Sequence, residues 1–536
     1  MKKVIFVLLI LAVFVSFTAC SSSKDSPENQ VIFYNLESDP QTLDPQIAED
    51  APAQLVITNI FEGLTRIDEN NQVIPGAALS WKSNQDHTSF TFYLRKDAFW
   101  SNEEKTPVTA DDFLYGIKRT LSPETDSKTA KTLFSIKNAK KVNSGELPVS
   151  SLGVLAQDNY TLKIELEYSY EDFPRLLSTA PAMPCNQAFF ELTNGQYGLD
   201  STMILCNGPF RVQTKYGWNH GENLYLLRNE NYIGQVKPIP AGVTFSIGKD
   251  TSDLIKAVKS GEVDAGPLLG AQVSQAKEMG YHLTSFEDTT WGLCFNFSDE
   301  VFQNLNVRKS FIESLSRDYI LKDIPENCTE ANGIVMDTAV VNGKSYRGQV
   351  GQKIYLKGSD NSRQILLSGL RELNLDLLPT VTVICPDDVK IKSMVSSMLE
   401  LWNEKLGYYF NMQPISEGKL SDRVQVGDFQ IALTPVFSQT DDPLEVLSLF
   451  RSNAEGNPCD MKSEEYDQLL TNAELAPIEE KADNCSAAET YLSEQVAFYP
   501  LYYQSRYFAS GSKVTGVLFY QSTGGVSFIN ASKTKK

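Results

Sequence analysis

Alternating apolar and polar positions predict two strands in the first third of the chain. Every second residue is apolar across residues 88–95, and the pattern returns at 160–166, as expected of strands with one buried face. Between them, Thr109 and Asp112 have the spacing of a capping box, in which the side chains satisfy free amides at a helix N-terminus. The segment therefore predicts a strand, a helix and a strand in that order.

A helical spacing of apolar residues follows in the later half of the chain. It runs through Ile391, Val395, Met398, Trp402 and Leu406. These positions share one helical face, and Gly407 predicts the end of the helix. A short apolar run at 381–385 precedes this helix, and strand-like stretches follow at 408–412 and 429–433. The order predicts a βαβ unit in a parallel sheet.

A comparable unit is predicted earlier in the chain. It consists of a strand at 243–247, a helix at 253–259 that ends at Gly261, and a strand at 263–265. Two α/β units this far apart in a chain of 536 residues predict two lobes, because single domains usually have roughly 100–200 residues. The segment from about 59 to 175 has a more antiparallel pattern and is expected to be an insertion.

The N-terminus predicts export. Two lysines precede an apolar run at 4–15, which is shorter than the roughly 20 residues of a membrane-spanning helix. It therefore predicts a signal peptide over residues 1–19. The following Cys20 and the polar stretch to residue 30 resemble a bacterial lipobox with its tether, so Cys20 is the expected lipidation site, and the acyl chains would hold the protein on a membrane surface. The simpler alternative is an ordinary cleaved signal next to a chance cysteine.

Charge and cysteine content exclude some functions. The formal net charge is -19, and the only basic cluster is the tail at 533–536, so no nucleic-acid partner is expected. The three histidines are widely separated and no C-x-x-C spacing occurs, so no metal site is expected. Cys185 and Cys206 are the nearest pair among the seven cysteines after Cys20. Whether they form a disulfide depends on the redox state of the cell surface, and both outcomes stay open.

Hydrolase motifs are missing from the sequence. There is no G-x-S-x-G and no H-E-x-x-H, which are the signatures of common serine and zinc hydrolases. The acidic pairs 111–112 and 387–388 lie at or near predicted helix starts, where capping explains them better than glycoside hydrolysis. We therefore expect no enzyme activity and no cofactor. A secreted enzyme or a surface adhesin remains the remote alternative.

A series of short motifs stands in order from about residue 31 to 510. Examples are QTLDP at 41–45, IFEGL at 60–64, DHTSFTFYLR at 86–95, PVTADDF at 107–113, GPF at 208–210, GEVD at 261–264 and DP at 442–443. In this order they resemble the extracytoplasmic solute-binding proteins of peptide and nickel ABC importers, family 5, which include the oligopeptide-binding proteins.

The resemblance implies an α/β fold of the periplasmic-binding-protein-like class II, with two lobes joined by a strand hinge. Its implied boundaries are 31–58, 176–288 and 505–536 for lobe I, 59–175 for a subdomain inserted in lobe I, and 289–504 for lobe II. The ligand would lie between the lobes and be enclosed when they close. The expected partners are a small solute and an ABC permease with its ATPase, and the expected state is a monomer.

The resemblance also implies ligand-binding positions. In oligopeptide binders an aspartate four residues before the matching Pro443 holds the peptide ammonium, a charge-assisted bond. Here that position is Gln439, and Asp441 and Asp442 lie close enough to compensate if the loop is rebuilt. Further positions follow from the same match or from a place beside the crossing strand. Glu49 keeps the second acidic residue that the family uses, and Ala51 lies in the same segment. Thr129 stands where the family has an aromatic residue, and Trp291 lies beside the strand that is expected to cross between the lobes. Phe437 and Thr289 stand where the family has two cysteines that form a disulfide.

Oligopeptide capture for import is the predicted function. Because Gln439 carries no charge, the ligand amine would be bound by Glu49, or the ligand would have no amine. The alternative is therefore the same fold with an oligosaccharide or another uncharged solute. The expected location is outside the cytoplasm, on the outer face of the cell membrane or in the periplasm.

Overall fold

The computed structural model describes residues 30–69, 72–325, 327–352, 358–438, 440–454, 456–521 and 525–534. The predicted signal peptide, Cys20 and Gln439 lie outside the described residues. The fold is mixed α/β with several sheets, as the sequence predicts. The lobe boundaries given above stay a prediction, and the lobe names are used below in that sense.

The sheet of lobe I combines parallel and antiparallel strands. Val31–Leu36 pairs in parallel with Gly242–Ile247, which also pairs antiparallel with Asn223–Arg228. Phe210–Val212 and Trp218–Asn219 continue the sheet on the other side of that last strand. The first two strands have buried apolar residues at alternate positions, which anchor the sheet on the core beneath it.

The largest sheet of the described residues has seven strands. In spatial order six of them are Ala265–Leu268, Phe498–Ser510, His282–Phe295, Ile431–Phe437, Thr382–Pro386 and Asn411–Ile415, and Cys328–Glu330 pairs with Phe498–Ser510. Thr382–Pro386 is parallel to both of its neighbours. The βαβ unit predicted in the later half of the chain is therefore confirmed. The strands predicted at 408–412 and 429–433 begin three and two residues later than expected, at Asn411 and Ile431.

The inserted segment contains an antiparallel sheet of four described strands. Their spatial order is Ala78–Ser83, Ser89–Leu94, Thr161–Glu165 and Val154–Asp158. Four two-stranded ribbons complete the described strands of the chain. They pair Thr65–Ile67 with Val73–Pro75, Val340–Val341 with Lys344–Ser345, Val514–Thr515 with Ser532–Lys533, and Leu518–Phe519 with Val526–Ser527.

The described α-helices cover the faces of these sheets. They are Ala51–Ile60, Ala110–Leu121, Ala139–Asn143, Phe173–Leu176, Gln187–Leu192, Leu254–Ser260, Val273–Glu278, Leu305–Glu313, Arg317–Ile320, Tyr346–Val350, Ser362–Glu372, Val389–Leu406, Glu417–Gln425, Pro443–Ser448, Glu464–Leu475 and Ile478–Glu494. Thr109 and Asp112 form the predicted capping box. Gly407 ends Val389–Leu406 at φ 81°, a left-handed conformation that glycine adopts without steric cost.

The second predicted βαβ unit differs from the structure. Ala265–Leu268 does not join Gly242–Ile247 but pairs antiparallel with residues 507–510 of the larger sheet. The physical reason is that Val31–Leu36 already occupies the edge of Gly242–Ile247. Asp264 binds the chain to Val31–Leu36 through two hydrogen bonds. Its backbone N–H donates to Phe33 O at 2.8 Å, and its Oδ2 accepts from Phe33 N at 2.7 Å.

Two long strands connect two separate cores. His282–Phe295 and Phe498–Ser510, called the crossing strands below, pair antiparallel along most of their lengths. Residues 289–295 also pair with Ile431–Phe437 in lobe II, whereas residues 507–510 pair with Ala265–Leu268. One large buried cluster belongs to lobe II, and the other is continuous through lobe I and the inserted segment. The crossing strands therefore have the position of a hinge.

The seven cysteines among the described residues are free thiols. Cys185 and Cys206 are both buried, and Cys185 Sγ accepts from Arg119 Nη1 at 3.5 Å. The disulfide between Cys185 and Cys206, which the sequence left open, is therefore not formed in this structure. Within the described ranges, no helix is long and apolar enough to cross a bilayer, and no cluster of three or more potential metal ligands is found.

Removing the charge partner of buried Glu489 is expected to destabilise lobe II. Glu489 is 0% exposed and accepts from Arg347 Nη1 at 2.8 Å, Tyr346 Oη at 3.0 Å and Val335 N at 2.9 Å. Arg347→Met should lower the free energy of unfolding by about 3–5 kcal/mol, because it leaves a buried carboxylate without its counter-charge. Urea unfolding measures this. Arg451→Met, whose partner Glu474 is 43% exposed, should lose less than about 1 kcal/mol; equal losses would contradict the assignment.

Asp112 is expected to make stability depend on pH. Burial raises its pKa from 3.8 to about 6, against hydrogen bonds from Thr109 that lower it. Because the folded pKa lies above the unfolded one, this group stabilises the fold below pH 3.8 and loses that contribution as pH rises through about 6. The stability of wild type relative to Asp112→Asn should therefore fall by about 3 kcal/mol at most between pH 4 and pH 7. A pH-independent difference in urea unfolding would contradict the raised pKa.

Candidate ligand-binding cleft

A cavity of about 760 Å³ lies where lobe I meets the crossing strands. One wall is formed by the end of Val31–Leu36 and the start of Ala51–Ile60, a second by the loop 248–252, and a third by residues 267–270. Residues 504–508 of the second crossing strand, the C-terminal positions 519–520 and 525–526, and Asn327 complete the lining. Pockets for small molecules have volumes of roughly 300–1,000 Å³, so this space is large enough for a solute.

Asn327 brings lobe II to the edge of this cavity. Its Nδ2 donates to the carbonyl of Gly270 at 3.1 Å, and its own carbonyl accepts from Tyr507 Oη at 3.2 Å. The residue has a φ of 63°, a left-handed conformation that asparagine tolerates better than most residues. Elements from both lobes and from the hinge therefore meet around one space.

A β-bulge at Asp288 shapes the hinge side of the cavity. Glu287 pairs with Ser505 and Thr289 pairs with Gln504, so Asp288 is the extra residue of the bulge. Bulges redirect side chains and often lie next to functional sites. Here the Asp288 carboxylate points inward, with 2% of the side chain exposed, and accepts from Arg506 Nε. The bulge thus places a buried carboxylate directly behind an arginine that lines the cavity.

Trp291 is connected to the cavity only through its neighbour. Its ring is 6% exposed and stacks on Tyr502 with 6.0 Å between ring centroids. Its Nε1 donates to Gln504 Oε1 at 2.6 Å, and Gln504 lines the cavity. The tryptophan orients the glutamine. Direct stacking on a ligand, as considered from the sequence, stays a prediction.

Of the other positions predicted from the first lobe, Ala51 lines the cavity at the start of its helix. Glu49 lies two residues earlier and is exposed. Its charge acts on Lys128, one residue from Thr129 in the inserted segment. Thr129 is half-buried, and its Oγ1 lies 3.1 Å from Ser127 Oγ. The structure thus brings Glu49 near the Thr129 segment, and neither Glu49 nor Thr129 is among the residues that line the cavity.

The loop after Ile431–Phe437 contains the remaining predicted positions. Phe437 ends that strand opposite Thr289, as the family's cysteine positions imply, and it is 57% exposed. Gln439 lies outside the described residues, so its role stays a prediction. Asp441 is half-buried. Burial raises its pKa, and the positive charge of Arg175 in the inserted segment opposes that rise.

Sequence reasoning missed Asp288, Gln504, Arg506 and Asn327. The available signal was a polar pair, Gln504 and Arg506, at alternate positions in the stretch 498–510, whose other residues are apolar or aromatic apart from Ser505 and Ser510. Such a pair on one face of a predicted buried strand indicates a polar site. The bulge that presents Asp288 depends on strand register and leaves no local pattern.

A family comparison identifies the architecture. The profile of bacterial extracellular solute-binding proteins, family 5 (middle region), matches residues 72–458. The chain belongs to this family. Members are the substrate-binding proteins of transporters, and the two lobes and hinge-side cavity of this chain fit that class.

Relatives match along nearly the whole chain. The oligopeptide-binding protein OppA of Bacillus subtilis (strain 168) is 26% identical over 522 residues, covering 95% of this chain and 93% of that protein. The periplasmic murein peptide-binding protein MppA of Escherichia coli (strain K12) is 26% identical over 507 residues, covering 92% of each. The similarity therefore includes both predicted lobes.

Solved structures share the fold. The substrate-binding domain of an oligopeptide ABC transporter from Bacillus anthracis superposes with a TM-score of 0.70 at 25% identity, covering 94% of this chain and 99% of that one. OppA of Listeria monocytogenes bound to peptide gives a TM-score of 0.69 at 22% identity, covering 95% and 99%. These neighbours confirm the predicted fold class.

In this solute-binding protein, lobe II also contacts the inserted segment at a distance from the hinge. Lys481 Nζ binds Asp442 Oδ2 at 2.6 Å and lies 5.9 Å from the centre of the Tyr170 ring. Beside it, the charge of Arg175 acts on Asp441. Two acidic residues and one lysine of lobe II thus face an aromatic ring and an arginine of the inserted segment. Charges arranged in this way favour the state in which the two bodies touch.

Weakening this contact is expected to open the molecule. Lys481→Met removes the cation next to Tyr170, and the radius of gyration from small-angle X-ray scattering should increase because the open state becomes more populated. A loss of about 1 kcal/mol at a partly exposed contact shifts such an equilibrium roughly fivefold. Arg451→Met is the matched control, since its partner Glu474 lies within the same lobe. Identical scattering of all three proteins would show that the contact does not affect closure.

Proposed function

We propose that this chain is the non-catalytic, peptide-capturing subunit of an ABC importer, tethered outside the cytoplasm by a lipid on Cys20. The observation that supports it best is the cavity of about 760 Å³ at the hinge, bordered by both lobes, in a chain that belongs to the solute-binding protein family. Relatives that match at least 92% of this chain are named for binding oligopeptides or murein peptides. The permease and its ATPase receive the ligand without any bond being broken.

Capture follows from contacts that exist on both lobes only in the closed state. A ligand in the cavity touches lobe I through Ala51 and the loop 248–252, and touches the hinge through Gln504 and Arg506. When lobe II closes, Asn327 and the loop after Phe437 add further contacts. A ligand that binds the closed state better shifts the molecule toward closure, and the permease recognises the closed form.

A peptide suits this lining better than a purely apolar solute. The cavity exposes polar side chains such as Asn35, Gln504 and Ser505 beside apolar ones such as Leu55 and Phe519. A peptide backbone needs hydrogen-bond partners when it leaves water, whereas variable side chains tolerate a roomy space that keeps its water. An uncharged solute such as an oligosaccharide is the second candidate, because Gln439 replaces the carboxylate expected at the ammonium position.

Short peptides are expected to stabilise the protein. At 100 times the dissociation constant, a bound ligand raises the free energy of unfolding by roughly 2.7 kcal/mol, which appears as an upward shift in thermal melting. The measurement compares the purified chain with a pool of tri- to hexapeptides and with a panel of oligosaccharides. A shift with peptides alone supports the proposal, and a shift with the oligosaccharides alone selects the second candidate.

Recovery of the ligand completes this test. Mass spectrometry of material released by denaturation should return the peptides with unchanged masses. Free amino acids or truncated peptides appearing with time would show turnover and would overturn the non-catalytic assignment. The signal-free form with Cys20→Ser should bind equally well in solution but should be lost from the membrane fraction of cells, which separates tethering from capture.

A further inference from the structure

Arg506 has an unusual position among the charged residues that line the cavity. It projects from the second crossing strand, 53% of its side chain is exposed, and its Nε is engaged by Asp288 Oδ2. No hydrogen bond joins its Nη1 or Nη2 to any of the described residues. The guanidinium is therefore held at one end, and its two terminal nitrogens remain available on the cavity side.

Asp288 orients this guanidinium and is itself inaccessible to a ligand. Its side chain is 2% exposed, and its second oxygen accepts from Thr289 Oγ1 at 2.9 Å. A carboxylate buried to this degree offers a ligand ammonium no direct approach. The two residues lie 218 positions apart on the two crossing strands, so the pair is a property of the hinge. Of the two residues, only Arg506 presents its charge to a ligand.

We propose that Arg506 binds a carboxylate of the ligand, so that the captured peptides have a free C-terminal carboxylate near the hinge. The assignment rests on the proposed function and names its ligand class. An arginine fixed through Nε keeps two parallel N–H groups, which match the two oxygens of a carboxylate. Preorganisation by Asp288 reduces the side-chain entropy lost when the ligand binds.

Other charges around the cavity do not reverse this preference. Lys249 adds a second cation, and Glu37 and Asp250 are the two acidic lining residues. All of these side chains are exposed, as is that of Arg506, so water and salt screen their charges alike. Asp250 is further engaged by the backbone N–H and the hydroxyl of Ser252, at 3.1 Å and 2.7 Å. Arg506 is the lining charge that is anchored against the protein interior.

Competitive capture of paired peptides tests this assignment. The probe is a tri- to hexapeptide pool in which every sequence is present as the free acid and as an isotopically labelled C-terminal amide, and mass spectrometry gives the acid-to-amide ratio retained by the purified chain. Wild type should retain the acid at least tenfold over the amide. An N-acetylated copy of the pool should be retained like the free-amine pool, since the proposed contact involves the other end.

Two variants and a control make the result decisive. Arg506→Gln should bring the acid-to-amide ratio to about one. Because this change leaves Asp288 buried without its partner, the double variant Asp288→Asn with Arg506→Gln is measured in parallel, with thermal melting as the check on folding. Arg371→Gln, on the exposed side of helix Ser362–Glu372, is the control and should keep the wild-type ratio.

The outcomes separate this assignment from the proposed function. Wild type that retains neither acid nor amide would contradict peptide capture itself. Wild type that retains both equally would leave peptide capture intact and overturn the role of Arg506. A folded double variant that keeps a tenfold preference for the acid would also overturn it, because the preference would then arise from another group.

Discussion

The antiparallel pairing of the two crossing strands is the constraint on which the rest of the molecule depends. His282–Phe295 and Phe498–Ser510 are paired along both the lobe I and the lobe II ends, while the buried apolar residues form separate clusters on either side. A protein with two cores and a narrow connection can move as two bodies, because little buried apolar surface is lost when they separate. The backbone ladder between the two strands keeps the lobes in register.

The hinge holds a polar network between two lobes that each contain a large apolar core. A carboxylate buried at Asp288 is unfavourable unless it is paired, and the bulge places it against Arg506 and the hydroxyl of Thr289. The tryptophan at 291 is likewise satisfied by Gln504. Arg506 and Gln504, which bind Asp288 and Trp291, both line the cavity. The interactions that satisfy buried polar groups at the hinge thus also fix the orientation of groups that meet a ligand.

Local features of the fold follow from the sequence because their causes are local. The capping box of Thr109 and Asp112 and the stop at Gly407 were predicted because neighbouring residues alone satisfy the helix ends. The partner of Ala265–Leu268 was predicted wrongly because its ladder is with residues 507–510, more than two hundred positions away. Strands so far apart in sequence pair only where a sheet edge has not been taken by another strand. Which edge is free depends on the whole fold and not on local sequence.

The same distinction explains what was predicted of the site. Motifs along the chain led to the family. Ala51 lines the cavity, and its predicted contact with a ligand stays a prediction. The pair of Asp288 and Arg506 depends on the strand register and on the bulge, in which Asp288 is the extra residue with no partner on the opposite strand. An ion pair across 218 residues has no sequence pattern of its own. The charge that the hinge side of the cavity presents is therefore a property of strand pairing: the extra residue of one crossing strand is a buried carboxylate, and the arginine that it holds on the other strand lines the cavity.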